Sequence, residues 1–172
     1  MITNISLTTK EKYLLEDSKT HEEICILKYS NYANLATDAE LKGVFRSNLQ
    51  TEYEHLQTIN QLLKGQVPNM SGQGSQSSSQ QQSGQSSQMP NSQQSSVEQQ
   101  SSKSASFQAS DKDLCIDMLN TEKYVSGAYD TSIFEFKDAS VRDVLNHIQK
   151  EEQKHGEAIF AYMQSKGMYS PS

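Results

Sequence analysis

Apolar residues recur every three or four positions in four separate stretches of the chain. This spacing places them along one face of an α-helix, so it predicts four amphipathic helices that share a core. The turns at 37–39 and 137–138 are short, and they predict two antiparallel helical hairpins. The predicted helices span residues 9–36, 40–64, 111–136 and 139–166.

Polar residues and glycines at the expected places support these boundaries. Capping boxes are predicted from Thr8 to Glu11 and from Thr37 to Glu40. Further helix starts are predicted at Ser110, with Asp113, and at Asp138, and helix stops at Gly65 and Gly167.

The composition changes abruptly at Gly65. From Gln66 to Ser110 the chain is a low-complexity run of mostly Gln, Ser and Gly, and its only charged residues are Glu98 and Lys103. Such a segment has too few apolar groups to offset the entropy of ordering, which predicts a disordered linker. We therefore predict an all-α protein with an N-terminal hairpin at 8–64, a disordered linker at 65–110 and a C-terminal hairpin at 111–169, the two hairpins packing as one bundle.

The two hairpins match each other at a constant offset of 100 residues, without a gap. The matched pairs include Glu22 and Glu122, Tyr29 and Tyr129, Glu52 and Glu152, His55 and His155, and Ile59 and Ile159. This regularity suggests a duplicated hairpin.

Each apolar stripe is interrupted at its middle by a carboxylate, and the stripes of the second and fourth helices add a histidine. Buried acids are costly unless cations neutralise them. One Glu from each of two helices and Glu-x-x-His from each of the other two is the ligand set of di-iron and di-manganese bundles, which makes the predicted fold ferritin-like. The predicted ligands of two iron or manganese ions are Glu22, Glu52, His55, Glu122, Glu152 and His155, with Glu52 and Glu152 as bridges.

A second interpretation keeps these residues as a purely structural polar core. A register error of one position would also move them to a solvated face, since Glu23 and Glu151 adjoin Glu22 and Glu152. The tyrosines at 29, 32 and 129 are interpreted as core packing rather than as radical relays.

Charge and composition exclude several classes of protein. The net charge of −6 argues against nucleic-acid binding. Cys25 and Cys115 form no CxxC motif, which favours a reducing site of synthesis over a disulfide scaffold. We find no apolar run of signal-peptide or membrane-spanning length, and we expect no membrane span.

Residues 114–169 resemble the coat F domain of bacterial spore coat proteins. The resemblance lies in Leu119-Asn120-Thr121-Glu122-Lys123-Tyr124, in Tyr129-Asp130-Thr131, in the Glu151-Glu152 pair and in the ending Met163-Gln164-Ser165-Lys166-Gly167-Met168-Tyr169. It implies a ferritin-like fold, synthesis in the mother cell of a Firmicutes species, location in the spore coat, and other coat proteins as partners. Glu152-Gln153-Lys154-His155-Gly156 is also similar to the fourth helix of rubrerythrin-type metal proteins.

Three functions are compatible with the sequence. The first is a structural spore coat component with a dimetal bundle, in which the Gln-rich linker is a spacer or, alternatively, a cross-linking substrate. The second is a di-iron or di-manganese oxidoreductase that scavenges peroxide or activates oxygen in spore protection. The third is an adaptor whose hairpins bind different partners, and the tether would also permit a domain-swapped homodimer.

Overall fold

The computed structural model describes residues 3–68 and 109–169, which form four long helices and two short strands. In chain order the elements are β1 (Thr3–Asn4), α1 (Thr9–Leu35), α2 (Ala39–Leu63), β2 (Gln66–Val67), α3 (Asp111–Ile133) and α4 (Ala139–Ser165). The predicted all-α architecture of two helical hairpins is confirmed. Most of the segment predicted as a linker, residues 69–108, lies outside the described residues.

The two hairpins pack against each other through both of their helices. Helix α1 contacts α2 and α3, and α4 contacts α3 and α2. Glu11, at the start of α1, accepts a hydrogen bond of 2.9 Å from the backbone N–H of Lys137, beyond the end of α3. Asp111, at the start of α3, accepts one of 2.8 Å from the backbone N–H of Thr37, beyond the end of α1. Helices α1 and α3 are therefore antiparallel, and an acid at the start of each holds the turn of the other hairpin.

This arrangement fixes where the two described segments end. Pro68 follows β2, which pairs with β1 just before the start of α1. Ala109 precedes α3, whose start lies at the opposite end of α1. The chain between Pro68 and Ala109 thus connects opposite ends of the bundle.

The helix starts follow the predicted caps with one exception. Capping boxes form at Thr8 with Glu11 and at Ser110 with Asp113. The box predicted from Thr37 to Glu40 is wrong. Helix α2 is capped instead by Asp38, whose carboxylate accepts from the backbone N–H of Glu40 at 2.7 Å. The Thr37 hydroxyl is instead directed to the other hairpin, where it donates to Asp111 at 2.8 Å.

Glycines end α2 and α4 as predicted. Gly65 and Gly167 have φ angles of 75° and 66°, a left-handed conformation that is unfavourable for other residues. The sequence predicts that the linker begins at residue 65. Instead, the chain after Gly65 forms β2, which pairs with β1. The pairing is possible because the backbone N–H of Ile5 donates to Gly65 O at 2.8 Å and because Val67 is buried in the core.

The apolar stripes form the core almost as predicted. All the stripe positions of the second, third and fourth helices are buried. In α1, Ala33 is buried in place of Tyr32, which is half-buried and donates from its hydroxyl to Asp117 at 2.7 Å. Helix α3 ends at Ile133 and not at 136, although Phe136 stays buried in the turn that follows. Within residues 3–68 and 109–169 we found no helix whose length and apolar character suit a membrane span.

Glu11 should contribute more to stability than its place at a helix start suggests. It accepts from the backbone N–H groups of both Thr8 and Lys137 and is 2% exposed. Glu11→Ala leaves both donors without this acceptor, so we expect the free energy of unfolding to fall by about 1–3 kcal/mol in urea titrations. Glu16→Ala, an exposed change on the same helix, should alter it by less than about 0.5 kcal/mol. Equal effects of the two changes would contradict this role.

Candidate metal centre

The bundle brings the six predicted ligands together in its interior. The helical spacing of each stripe turns one carboxylate inward from every helix, and α2 and α4 add an imidazole one turn later. All six are almost completely buried: Glu22, Glu52 and Glu152 are 0% exposed, His55 2%, Glu122 3% and His155 4%. A displacement of the register to a solvated face is therefore wrong.

Their donor atoms form two groups with common members. In each group the donor atoms lie within 4.8 Å of one another. One group is Glu22, Glu52, His55 and Glu152, and the other is Glu52, Glu122, Glu152 and His155. Glu52 and Glu152 belong to both groups, which is the arrangement that two bridging carboxylates require.

The donor atoms point toward a common volume, and most of them make no hydrogen bond with one another. His55 Nδ1 lies 3.1 Å from a Glu152 oxygen, and His155 Nδ1 lies 3.1 Å from a Glu52 oxygen. Even so, neither Nδ1 atom and no oxygen of Glu52 or Glu152 makes a hydrogen bond with protein atoms. Buried polar atoms without partners are rare and costly, and a cation bound among them would satisfy them together.

Two tyrosines orient the outer carboxylates from across the bundle. The buried Tyr29 hydroxyl donates to Glu122, and the buried Tyr129 hydroxyl donates to Glu22. Each bond joins α1 to α3, so it ties the two hairpins together at the level of the site. Tyr29 also accepts from the Asn48 amide at 3.0 Å, while the position equivalent to Asn48 is the apolar Ile148.

The two histidines differ in the partners of their second ring nitrogen. His55 Nε2 lies 3.0 Å from a Glu151 oxygen, and the same oxygen lies 3.4 Å from His147 Nε2 near the surface. Hydrogen bonding to a carboxylate orients a metal-binding imidazole and raises its basicity. His155 Nε2 is buried without a partner, because the position equivalent to Glu151 is Thr51.

Sequence reasoning missed the roles of Tyr29, Tyr129, Asn48 and Glu151. The helical pattern indicates packing for the tyrosines, and they do pack, but their hydroxyls also hold the carboxylates. A signal is present in the sequence, since each tyrosine lies seven residues after the carboxylate of its own helix and therefore on the same face. The partner across the bundle does not follow from that spacing.

Protons neutralise much of this site when no cation is bound. Burial, with the charges of Glu152 and Glu52, raises the pKa of Glu22 to about 8, and burial with the charge of Glu152 raises the pKa of Glu122 well above its usual value. Burial would lower the pKa of His155, but Glu152 and Glu52 raise it to about 9. The pKa of His55 is raised in the same way by Glu151, Glu152, Glu22 and Glu52 against the effect of burial.

The chemistry of the donors fits iron or manganese. Carboxylate oxygens and imidazole nitrogens suit these metals, whereas soft thiolates select others. Burial raises the pKa of the Cys25 thiol, and Cys25 belongs to neither donor group.

The metal-free protein should lose stability as pH rises. Glu22 and His155 bind their protons more tightly when folded, because their pKa values are raised from 4.5 to about 8 and from 6.5 to about 9. The folded state then holds more protons than the unfolded state, so the free energy of unfolding falls between about pH 5 and about pH 9. Urea titrations with a chelator present measure this slope, which Glu22→Gln should make shallower. A stability that rises over the same range would contradict the assignment.

Comparison with known proteins places the C-terminal hairpin in a family. Residues 110–172 match the family model described as Coat F domain, which covers α3 and α4 with the predicted ligands Glu122, Glu152 and His155. Neither the curated proteins nor the solved structures gave a match to the chain. The resemblance to the coat F family is thereby confirmed, and the C-terminal hairpin of this chain is a Coat F domain of the kind found in spore coat proteins.

Proposed function

We propose that this chain is a structural component of the spore coat whose bundle binds two iron or manganese ions between its hairpins. The Coat F domain supports the coat role. The observation that carries the metal proposal is the pair of buried donor groups that share Glu52 and Glu152.

In this proposal each residue has a defined task. Glu52 and Glu152 would be shared by both ions, Glu22 and His55 would help to hold one ion, and Glu122 and His155 would help to hold the other. Bound iron or manganese would supply positive charge to the site and the capacity for redox chemistry. Tyr29 and Tyr129 hold the outer carboxylates in place, and apolar clusters pack on either side of the site.

The proposed centre would also hold the hairpins together. Glu22, Glu52 and His55 come from the N-terminal hairpin, and Glu152 completes their group from the C-terminal one. The second group combines Glu52 with three residues of the C-terminal hairpin. A cation in either group would therefore bind ligands from both hairpins and stabilise their packing against each other. Such stabilisation suits a component of the spore coat.

Protein reconstituted with manganese or iron should retain about two ions per chain after gel filtration. Glu52→Gln with Glu152→Gln removes both proposed bridges at constant side-chain volume, and we expect it to retain almost none. Elemental analysis measures the metal, and far-ultraviolet circular dichroism of the same samples shows whether the variant keeps its helices.

A matched control changes two exposed acids that adjoin proposed ligands, Glu23→Gln with Glu54→Gln. It should bind metal as the parent protein does. Trace metal in the folded parent protein, or equal metal in both double variants, would rule out the centre and leave the polar-core interpretation.

The coat role predicts where the chain is found in mature spores. An epitope-tagged copy expressed in an endospore-forming host should appear in the coat extract, together with other coat proteins, and not in the soluble core fraction. Immunoblots of the two fractions measure this distribution. Recovery from the core fraction alone would exclude a coat role without affecting the metal proposal.

A second candidate function is peroxide scavenging by the same centre. It is favoured by a cavity between α3 and α4 that reaches Glu122 and Glu152 from the surface. Disproportionation converts two hydrogen peroxide molecules to two water molecules and one oxygen molecule, so it needs no further reductant. Oxygen release by the manganese-loaded protein, absent from the Glu52→Gln with Glu152→Gln variant, would distinguish an enzyme from a structural centre.

A further inference from the structure

The cavity on the outer face of the C-terminal hairpin, between α3 and α4, has a volume of about 660 Å³. We call it the α3–α4 groove. Leu119 and Phe160 contribute apolar side chains to it, and Gly127 and Gly156 contribute bare backbone. The Phe160 ring is supported from behind by Tyr169, with the ring centroids 4.8 Å apart.

The groove reaches two members of the candidate metal centre. Glu122 and Glu152 both line it, although they are only 3% and 0% exposed. Glu122 Oε2 and both oxygens of Glu152 are buried and make no hydrogen bond with protein atoms. Polar acceptors without partners therefore lie at the inner end of an otherwise largely apolar passage.

The N-terminal hairpin has larger, apolar side chains at three of the equivalent positions. At the constant offset of 100 residues, Ile26 corresponds to Ser126, Leu49 to Gln149, and Leu56 to Gly156. The three apolar side chains of the N-terminal hairpin are all partly buried. In the C-terminal hairpin the Gln149 side chain instead donates to the backbone oxygen of Ser126 at 3.1 Å. The two hairpins thus differ at three positions whose side chains would fill the groove.

Gly156 is the most informative of these differences. A glycine within a helix costs about 1 kcal/mol relative to alanine. Close packing does not require glycine here, because a Cβ atom at Gly156 would meet only Leu119 Cδ2, at an ordinary distance of 3.8 Å. The absence of a side chain leaves the groove open at this point.

We propose that the α3–α4 groove binds an organic molecule with an apolar body and a terminal hydroxyl or hydroperoxyl head, which it directs to Glu122 and Glu152. This ligand class belongs to the same centre as the proposed function. It depends on that function only for the groups that the hydroxyl or hydroperoxyl head would contact when metal is bound. The groove itself is formed by protein atoms alone.

The chemistry of the groove selects this class of molecule. Its volume lies within the range of about 300–1,000 Å³ that is typical of sites for organic ligands. Leu119 and Phe160 would cover an apolar body, whereas hydrogen peroxide has none. The unpartnered Glu152 oxygens accept a hydrogen bond from an O–H head, and they disfavour an anionic one. The lining also carries charges of both signs, on Lys123, Asp130 and Glu157. These charges therefore do not favour a ligand of either net charge.

Amide resonances of the full chain, titrated with 1-hexanol as the probe, test this proposal. In the metal-free wild-type protein we expect saturable shifts at Gly127 and Ser126. Ethanol carries the same head without the body and should bind at least about tenfold more weakly, because it buries fewer methylene groups. Gly156→Leu installs the residue of the N-terminal hairpin, and it should weaken hexanol binding by at least about tenfold.

Gly43→Leu is the matched control, since Gly43 lies in α2 outside the groove and a Cβ atom added there would meet no atom within 4 Å. It should leave hexanol binding unchanged. The proposal is overturned if hexanol gives no saturable shifts, if ethanol binds equally well, or if Gly156→Leu binds hexanol as Gly43→Leu does. Loss of metal binding with intact hexanol binding would defeat the proposed function and leave the groove assignment in place.

Discussion

The mutual repulsion and desolvation of four buried carboxylates dominate the energetics of this bundle. Each buried acid opposes folding by several kcal/mol unless it is neutralised. Without metal, the neutralising charge comes from protons, which Glu22, Glu122 and His155 hold through their raised pKa values. The apolar stripes must supply enough free energy to keep this polar layer in place, and they do so from both sides of it.

The correspondence between the two hairpins at a constant offset of 100 residues accounts for the regularity of the polar layer. Tyrosines exchange hydrogen bonds between α1 and α3, and the acids at the two helix starts exchange bonds with the opposite turns. Each of these inter-hairpin contacts appears twice, once in each direction. Where the repetition fails next to the centre, as at Thr51 with Glu151 or Leu56 with Gly156, the surroundings of the two donor groups differ.

The sequence predicts the fold and the polar layer well because both depend on periodicity. A stripe with a spacing of three and four residues places Glu52 and His55 on one buried face whatever the partner helix is. Prediction from the sequence fails where a long-range contact competes with a local one. Thr37 bonds to Asp111 and not to its own helix start, and β2 exists only because residues before α1 pair with it. The role of Glu151 was hidden for the same reason, since its partner His55 lies 96 residues away.

The antiparallel arrangement of α1 and α3 has a consequence for the order of folding. Contacts within a hairpin form across a short turn, whereas the tyrosine bonds between hairpins join residues 93 and 107 positions apart. Local contacts of this kind form early, and closure of long loops is delayed by its entropy. Each hairpin would thus be complete while its carboxylates are still hydrated. Their desolvation would then fall in the docking of the hairpins, so proton or cation uptake would act on that step.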